Sequence, residues 1–189
     1  MKKHKAILVT APSGAGKTTL VKKLLAEFSQ FEFSISATTR APRVNEADGK
    51  DYYYISEQDF DYKIKNNEFL EWEEVYSGTK YGTLKSELDK ITERNKIPIF
   101  DIDVKGALKV KKMMHEEILS IFIAPPSIEE LAKRLSSRNT DTADKIKVRI
   151  NKASEEMQFQ NLFDKKIVNE DIEASYSLLK KYIFDYLEQ

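Results

Sequence analysis

Directly after the apolar run Ala6-Ile7-Leu8-Val9-Thr10 the chain reads Ala11-Pro12-Ser13-Gly14-Ala15-Gly16-Lys17-Thr18. A loop that wraps phosphate oxygens in backbone N–H groups needs small residues between a strand and a helix, with the helix N-terminus adding positive potential beneath the anion. Lys17 then reaches the β- and γ-phosphates of a nucleoside triphosphate. Thr18 offers its hydroxyl to a nucleotide-bound Mg2+ that is otherwise held by phosphates and water. The usual first glycine of such a loop is replaced by Ala11, which fits only at negative φ. A tight turn carrying a merely solvated lysine is the bland alternative, and the strand-like run before the loop weighs against it.

A second cluster, Ser36-Ala37-Thr38-Thr39-Arg40-Ala41-Pro42-Arg43, sets two arginines three apart in a stretch stiffened by Pro42. Forked guanidinium donors suit the oxygens of a second phosphate group, although two solvated surface arginines would read the same way in isolation. Other chemistries are closed off. The chain has no cysteine, which excludes a thiol nucleophile, a disulfide framework and a cysteine-ligated metal, and it has only two histidines, His4 and His115.

These residues need a scaffold, and the punctuation of the chain outlines one. The run at Ala6 to Thr10 predicts a central strand buried on both faces. From Lys17 onward Leu20, Val21, Leu24, Leu25 and Phe28 recur at helical spacing. Pro98 to Asp103, Ile118 to Ala124 and Lys166 to Val168 predict later buried strands separated by helical stretches, and that alternation implies a parallel α/β sheet. Residues 36–90 differ: Tyr52-Tyr53-Tyr54-Ile55 and the run Phe69 to Tyr76 are aromatic, partly alternating and broken by Gly78 and Gly82, as in a small, partly antiparallel unit. Ile128 to Gln160 predicts two helices around an exposed polar break at Asn139-Thr140-Asp141-Thr142, and Ile172 to Leu187 a packing helix.

Composition sets the outer bounds. With 189 residues, 41% apolar and 33% charged, the chain is long enough to bury a sizeable core. Its 31 basic and 31 acidic residues cancel, so nucleic acid or an anionic membrane cannot be held by a global field, and anions must be captured locally. The basic start Met1-Lys2-Lys3-His4-Lys5 precedes an apolar run too short for a signal or membrane span, and a cytoplasmic location is expected.

Taken together, the phosphate loop, Ser36 to Arg43, Gly49-Lys50-Asp51-Tyr52, Glu71-Trp72, Tyr81-Gly82-Thr83, Asp101-Ile102-Asp103 and Ile123-Ala124-Pro125-Pro126-Ser127 resemble the guanylate kinase family, in family order over nearly the whole chain. The resemblance implies an α/β fold: a P-loop parallel sheet flanked by helices, a small mixed α/β GMP-binding subdomain and a helical lid. It divides one domain into a core (1–35, 91–127, 160–189), a GMP-binding subdomain (36–90) and a lid (128–159). It also implies transfer of the γ-phosphoryl of ATP to GMP, with dGMP as a second acceptor to consider, Mg2+ as cofactor, and a monomer or homodimer.

Carried over position by position, the resemblance assigns Ala11, Pro12, Ser13, Gly14, Ala15, Gly16, Lys17, Thr18 and Thr19 to ATP, with Arg134, Arg138 and Asn169. Ser36, Arg40, Arg43, Tyr52, Glu71, Tyr81, Thr83 and Asp101 go to GMP. Lys17, Arg40, Arg138 and Arg149 are the catalytic set. Asp103, read as ending a buried strand, joins Thr18 near the metal, acting through water. Lys105 stands where many relatives carry glutamine, and Asn139 where glycine commonly follows the lid arginine. Two rival readings share the pattern: a non-catalytic guanylate-kinase-like module that binds proteins, and a kinase for another monophosphate acceptor.

Overall fold

Residues 5–76, 78–136 and 143–189 are described by the computed structural model. In chain order the first elements are β1 (Ala6–Thr10), α1 (Lys17–Glu27), β2 (Phe31–Phe33), β3 (Ala37–Thr38), β4 (Tyr53–Tyr54), α2 (Glu57–Lys65), β5 (Phe69–Tyr76), β6 (Thr79–Leu84) and α3 (Lys85–Glu93). They are followed by β7 (Ile97–Asp101), α4 (Val104–Met114), β8 (Ile118–Ala124), α5 (Ile128–Ser136), α6 (Ala143–Met157), β9 (Lys165–Val168) and α7 (Ile172–Leu187).

The main sheet runs β2-β7-β1-β8-β9, all neighbours parallel, so β1 lies at its centre and all five of its residues are buried. Side chains alternate along a strand, and β1 therefore feeds two cores. Ile7 and Val9 pack with Leu20, Leu24, Tyr176 and Leu179 of α1 and α7, whereas Ala6 and Leu8 pack with Phe100, Val104, Ala107 and Phe122 on the α4 side. Continuous apolar runs make such doubly covered strands, as the sequence pattern predicts. The short edge strand β2, paired to β7 through Phe31, Glu32 and Phe33, is an addition to that reading.

Residues within 36–90 build a second sheet, β4-β3-β6-β5, with β3–β6 and β5–β6 antiparallel and β3–β4 parallel. Its own small core is Ala37, Phe60 and Phe69, in which the Phe60 and Phe69 rings stack at 4.4 Å. Residues in α5 and α6 share a further cluster of Leu131, Leu135 and Ala153. Arg138 and the expected break at Asn139 to Thr142 lie outside the described residues. Among the described residues no helix is long and apolar enough to cross a membrane.

One boundary differs from the sequence reading. The strand expected to run from Pro98 to Asp103 stops at Asp101, and Asp103 is instead the N-cap of α4, accepting a hydrogen bond from Gly106 N at 2.8 Å. An aspartate immediately before a helical run satisfies the unpaired first-turn amides, and that outweighs one more strand pair.

Phe60 is fully buried at the centre of this small core, so Phe60→Ala should cost about 3 kcal/mol or more. Urea unfolding followed by fluorescence of Trp72, the one tryptophan, whose ring lies 6.5 Å from Phe60, measures the loss.

Candidate active site

The loop after β1 is bound to the fold at several points. Thr10 donates its hydroxyl to Ile102 O at 2.9 Å, which ties the end of β1 to the chain leaving β7. Gly14 and Gly16 both have φ of 95°, and Ala15 N donates to Pro12 O at 3.1 Å, so the backbone curls with its amides inward. Among the described residues the non-glycine positions with positive φ are Asn67, Asn95 and His115, and Ala11 is not one of them. Alanine thus meets the condition set for it. Gly16 is the N-cap of α1 and no side chain caps that end, which leaves the first-turn amides for an anion.

Arg134 and Asn169 stand behind the loop. The Asn169 amide donates to Ala15 O at 2.7 Å, and a Cβ at Gly16 would come within 2.2 Å of Asn169 Nδ2. Arg134 Nη1 donates to Asn169 O at 3.1 Å. Both residues brace the loop from behind and are not among those lining the cavity beside it.

That cavity encloses about 790 Å3 between the two sheets. Ala11 to Gly14, Gly16, Lys17, Thr18 and Thr19 line it from the loop, Ser36, Tyr52, Glu71 and Tyr81 from the second unit, and Asp101 and Asp103 from the end of β7 and the start of α4. Arg149, Lys152 and Glu156 enter from α6. Ala15, Arg40, Arg43 and Thr83 lie outside the lining.

Lys17 is ion-paired with Asp101, both side chains mostly buried, and its Nζ donates to Ile102 O at 3.2 Å. Val9 and Asp101 are register partners, so the end of β7 lies beside the start of the loop and within reach of the lysine. Asp101, expected on the acceptor base, here faces Lys17.

Arg40 forms a two-pronged pair with Glu46, at 2.8 and 3.0 Å, donates from Nε to Tyr81 Oη at 3.3 Å, and lies over the Tyr52 ring. Glu46 also accepts from Arg43 N and Tyr54 Oη, each at 2.8 Å. The Arg40 hydrogen bonds, followed by the Arg43 backbone bond, hold the Glu46 carboxyl down to about 2. Arg43 itself is exposed, and only its backbone joins this cluster. Sequence reasoning missed Glu46, because nothing local distinguishes it from Asp48 or Asp51.

Glu71 projects from β5 and is 7% exposed. Its Oε1 accepts from Thr83 Oγ1 at 2.8 Å and from Thr83 N at 3.1 Å, made possible by the β5–β6 register that sets the two residues opposite. Burial pushes the Glu71 carboxyl up to about 7 against the pull of Thr83, with Asp103 adding to the rise. The fully buried Thr83 therefore supports Glu71 from behind. Glu156 was also missed; it is 9% exposed, 3.7 Å from Lys152, and chiefly burial raises its carboxyl. Its signal was the spacing Arg149, Lys152, Glu156, one stripe of a helix.

Comparison with known proteins agrees with this architecture. A family model described as guanylate kinase matches residues 3–186. The chain is 46% identical over 184 residues to a guanylate kinase of Porphyromonas gingivalis, covering 97% of this chain and 98% of that one. It is 45% identical to a guanylate kinase of Bacteroides thetaiotaomicron, covering 98% and 91%. A crystal structure of guanylate kinase from Anaplasma phagocytophilum superposes with a TM-score of 0.77 at 32% identity, covering 96% of this chain and 85% of that chain.

Glu71 carries a pH signature. It titrates near 7 when folded and near 4.5 otherwise, so the folded state binds more protons between those values and the carboxyl's contribution to stability is lost as pH rises through about 7. In Glu71→Gln that decline should vanish. Urea unfolding of both proteins between pH 4.5 and 8 tests it, and a difference that does not change with pH would remove the raised carboxyl.

Proposed function

The chain belongs to the guanylate kinase family, and on that premise we propose that it transfers the γ-phosphoryl group of ATP to GMP, giving ADP and GDP by direct in-line displacement. The observation that carries this reading is that one cavity is lined both by the phosphate loop and by the buried Glu71 carboxylate. Guanine offers two adjacent donors, N1–H and the 2-amine, and an ionised carboxylate accepts both; adenine cannot present that pair. A buried carboxylate left unpaired penalises the wrong base.

In this reading, the loop amides and Lys17 take the β- and γ-phosphates of ATP. Lys17 passes from Asp101 to the phosphates, which frees the Asp101 carboxylate for guanine. Arg40 likewise turns its fork from Glu46 to the phosphate of GMP, with Tyr52 and Tyr81 alongside and Arg43 approaching from outside; Ser36 completes the base contacts. A phosphate monoester oxygen is already anionic and needs no side-chain base, so the task of the protein is to bring two anions together and stabilise charge on the group in flight. Arg149 and Arg138 serve that charge from the 128–159 segment, which acts as a lid over a core and a 36–90 acceptor unit. Its closure excludes water that would otherwise hydrolyse ATP.

Among the described residues no three His, Asp or Glu side chains gather into a metal site. The residues fit a Mg2+ carried by the nucleotide, for which Thr18, exposed at the first turn of α1, supplies a hydroxyl. Asp103 Oδ1 is engaged by Gly106 N, so Oδ2 is the oxygen left for metal-bound water. The metal supplies charge neutralisation on the phosphates.

The test is ADP formation from ATP and Mg2+ with GMP, AMP, UMP or dTMP as acceptor. Strong preference for GMP is expected, with Lys17→Ala slower by about a hundredfold or more; turnover with another acceptor alone would replace the substrate. Glu71→Gln should raise KM for GMP by about a hundredfold and leave KM for ATP near its original value. Equal losses for both would take Glu71 out of the base site.

A further inference from the structure

Gly106 is the third residue of α4 and is buried. Glycine is the poorest helix former apart from proline, and it is tolerated where a left-handed backbone demands it. No such demand exists here, since the positive-φ glycines are Gly14, Gly16, Gly49 and Gly78. The space is what matters. A Cβ on Gly106 would lie 2.7 Å from Glu71 Oε2, 3.3 Å from Glu71 Cδ and 3.3 Å from Asp103 Oδ1.

Glu71 can yield to such an atom only by turning into the cavity that it lines and giving up its present hydrogen bonds. Its Oε1 is held by both donors of Thr83. Nor can α4 shift away freely, because Lys109, one turn beyond Gly106, donates to Trp72 O at 3.1 Å and pairs with Glu73 at 2.7 Å. Helix and strand are thus tied together just beyond Glu71. Thr83 and Gly106 come from different sheets' elements and close on one carboxyl group from opposite sides.

We propose that Gly106 is a positioning residue for base recognition: the side chain it lacks is the space into which Glu71 Oε2 fits, and that fit sets the angle at which the carboxylate meets the acceptor base. The inference rests on Glu71 reading guanine. Asp103 has a second use in it, since its hydrogen bond to Gly106 N holds the first turn of α4 against the carboxyl. A methyl group at position 106 would turn the Glu71 carboxylate without removing it, an effect distinct from losing the charge.

The experiment compares kcat/KM for GMP and for inosine monophosphate, which lacks the 2-amine, in the full-length protein and its variants. Gly106→Ala should lower the GMP-to-inosine-monophosphate ratio by about tenfold to a hundredfold, the scale of an ångström-sized misplacement, with KM for ATP unchanged. The contact with Glu71 Oε2 outweighs alanine's better helix propensity, so the thermal midpoint should fall, while the unchanged KM for ATP separates a turned carboxylate from a general loss of structure. In the Glu71→Gln background the same substitution should leave the ratio unaltered.

Each failure is separable. If Glu71→Gln leaves the ratio intact, the base-reading assignment falls. If Glu71→Gln lowers it and Gly106→Ala does not, or if the two losses multiply, the positioning role of Gly106 is overturned. Should Gly106→Ala fail to fold, adding Glu71→Asp, one carbon shorter, is expected to restore a folded protein, and a double variant that stays unfolded would overturn the clash with Glu71.

Discussion

Lys17 and Asp101 meet at the carboxyl end of the central strands, and much of the molecule is arranged so that this pair can form. A mostly buried ammonium needs a counter-charge, because desolvation penalises an unpaired ion far more than a surface one. The parallel register of β1 and β7 places Asp101 beside Val9, at the start of the loop that ends in Lys17. The covered sheet provides that register: β1 is packed on both faces and has no freedom to slip. In the proposed reaction an anion entering the loop would replace one negative partner of Lys17 with another, sparing the site the cost of creating a buried charge at the moment of binding.

The acceptor side repeats the arrangement. Arg40 is held in a planar, two-pronged pair by Glu46, the geometry in which a guanidinium also binds a phosphate. Tyr54, Tyr81 and the Arg43 backbone surround the pair, so both ions keep their hydrogen bonds while half out of water. Glu71 differs, since among the described residues it is hydrogen-bonded to Thr83 and to no cation, and burial dominates its chemistry. The two clusters thus differ in kind, with a preformed ion pair around Arg40 and a poorly solvated carboxyl at Glu71.

Rigid parts hold these groups at fixed angles. Asn169 reaches from beyond β9 to the loop carbonyl at Ala15 and occupies the space beside Gly16, so the loop's curvature is enforced from outside the cavity. The β5–β6 register holds Thr83 opposite Glu71, and α4 closes the remaining side. Such pre-organisation lets binding energy go into the reacting geometry and not into ordering side chains.

Local spacing alone determined the phosphate loop, the helix from Lys17, the doubly buried strands and the aromatic second unit, because each is a pattern of neighbours whose period is set by backbone geometry. The sequence also marked Glu71, Thr83, Asp101 and Arg40 as residues of interest, through motifs that stand together in order. What each one touches was decided only by the folded chain. Asn169 and Ala15 are 154 residues apart, Thr10 and Ile102 are 92 apart, and Gly106 meets Glu71 across two sheets. Glu46 as the partner of Arg40, Asp101 as the partner of Lys17 and Asp103 as a helix cap have no periodic signature. They depend on register, strand ends and loop curvature, which long-range packing sets and no short window of sequence contains.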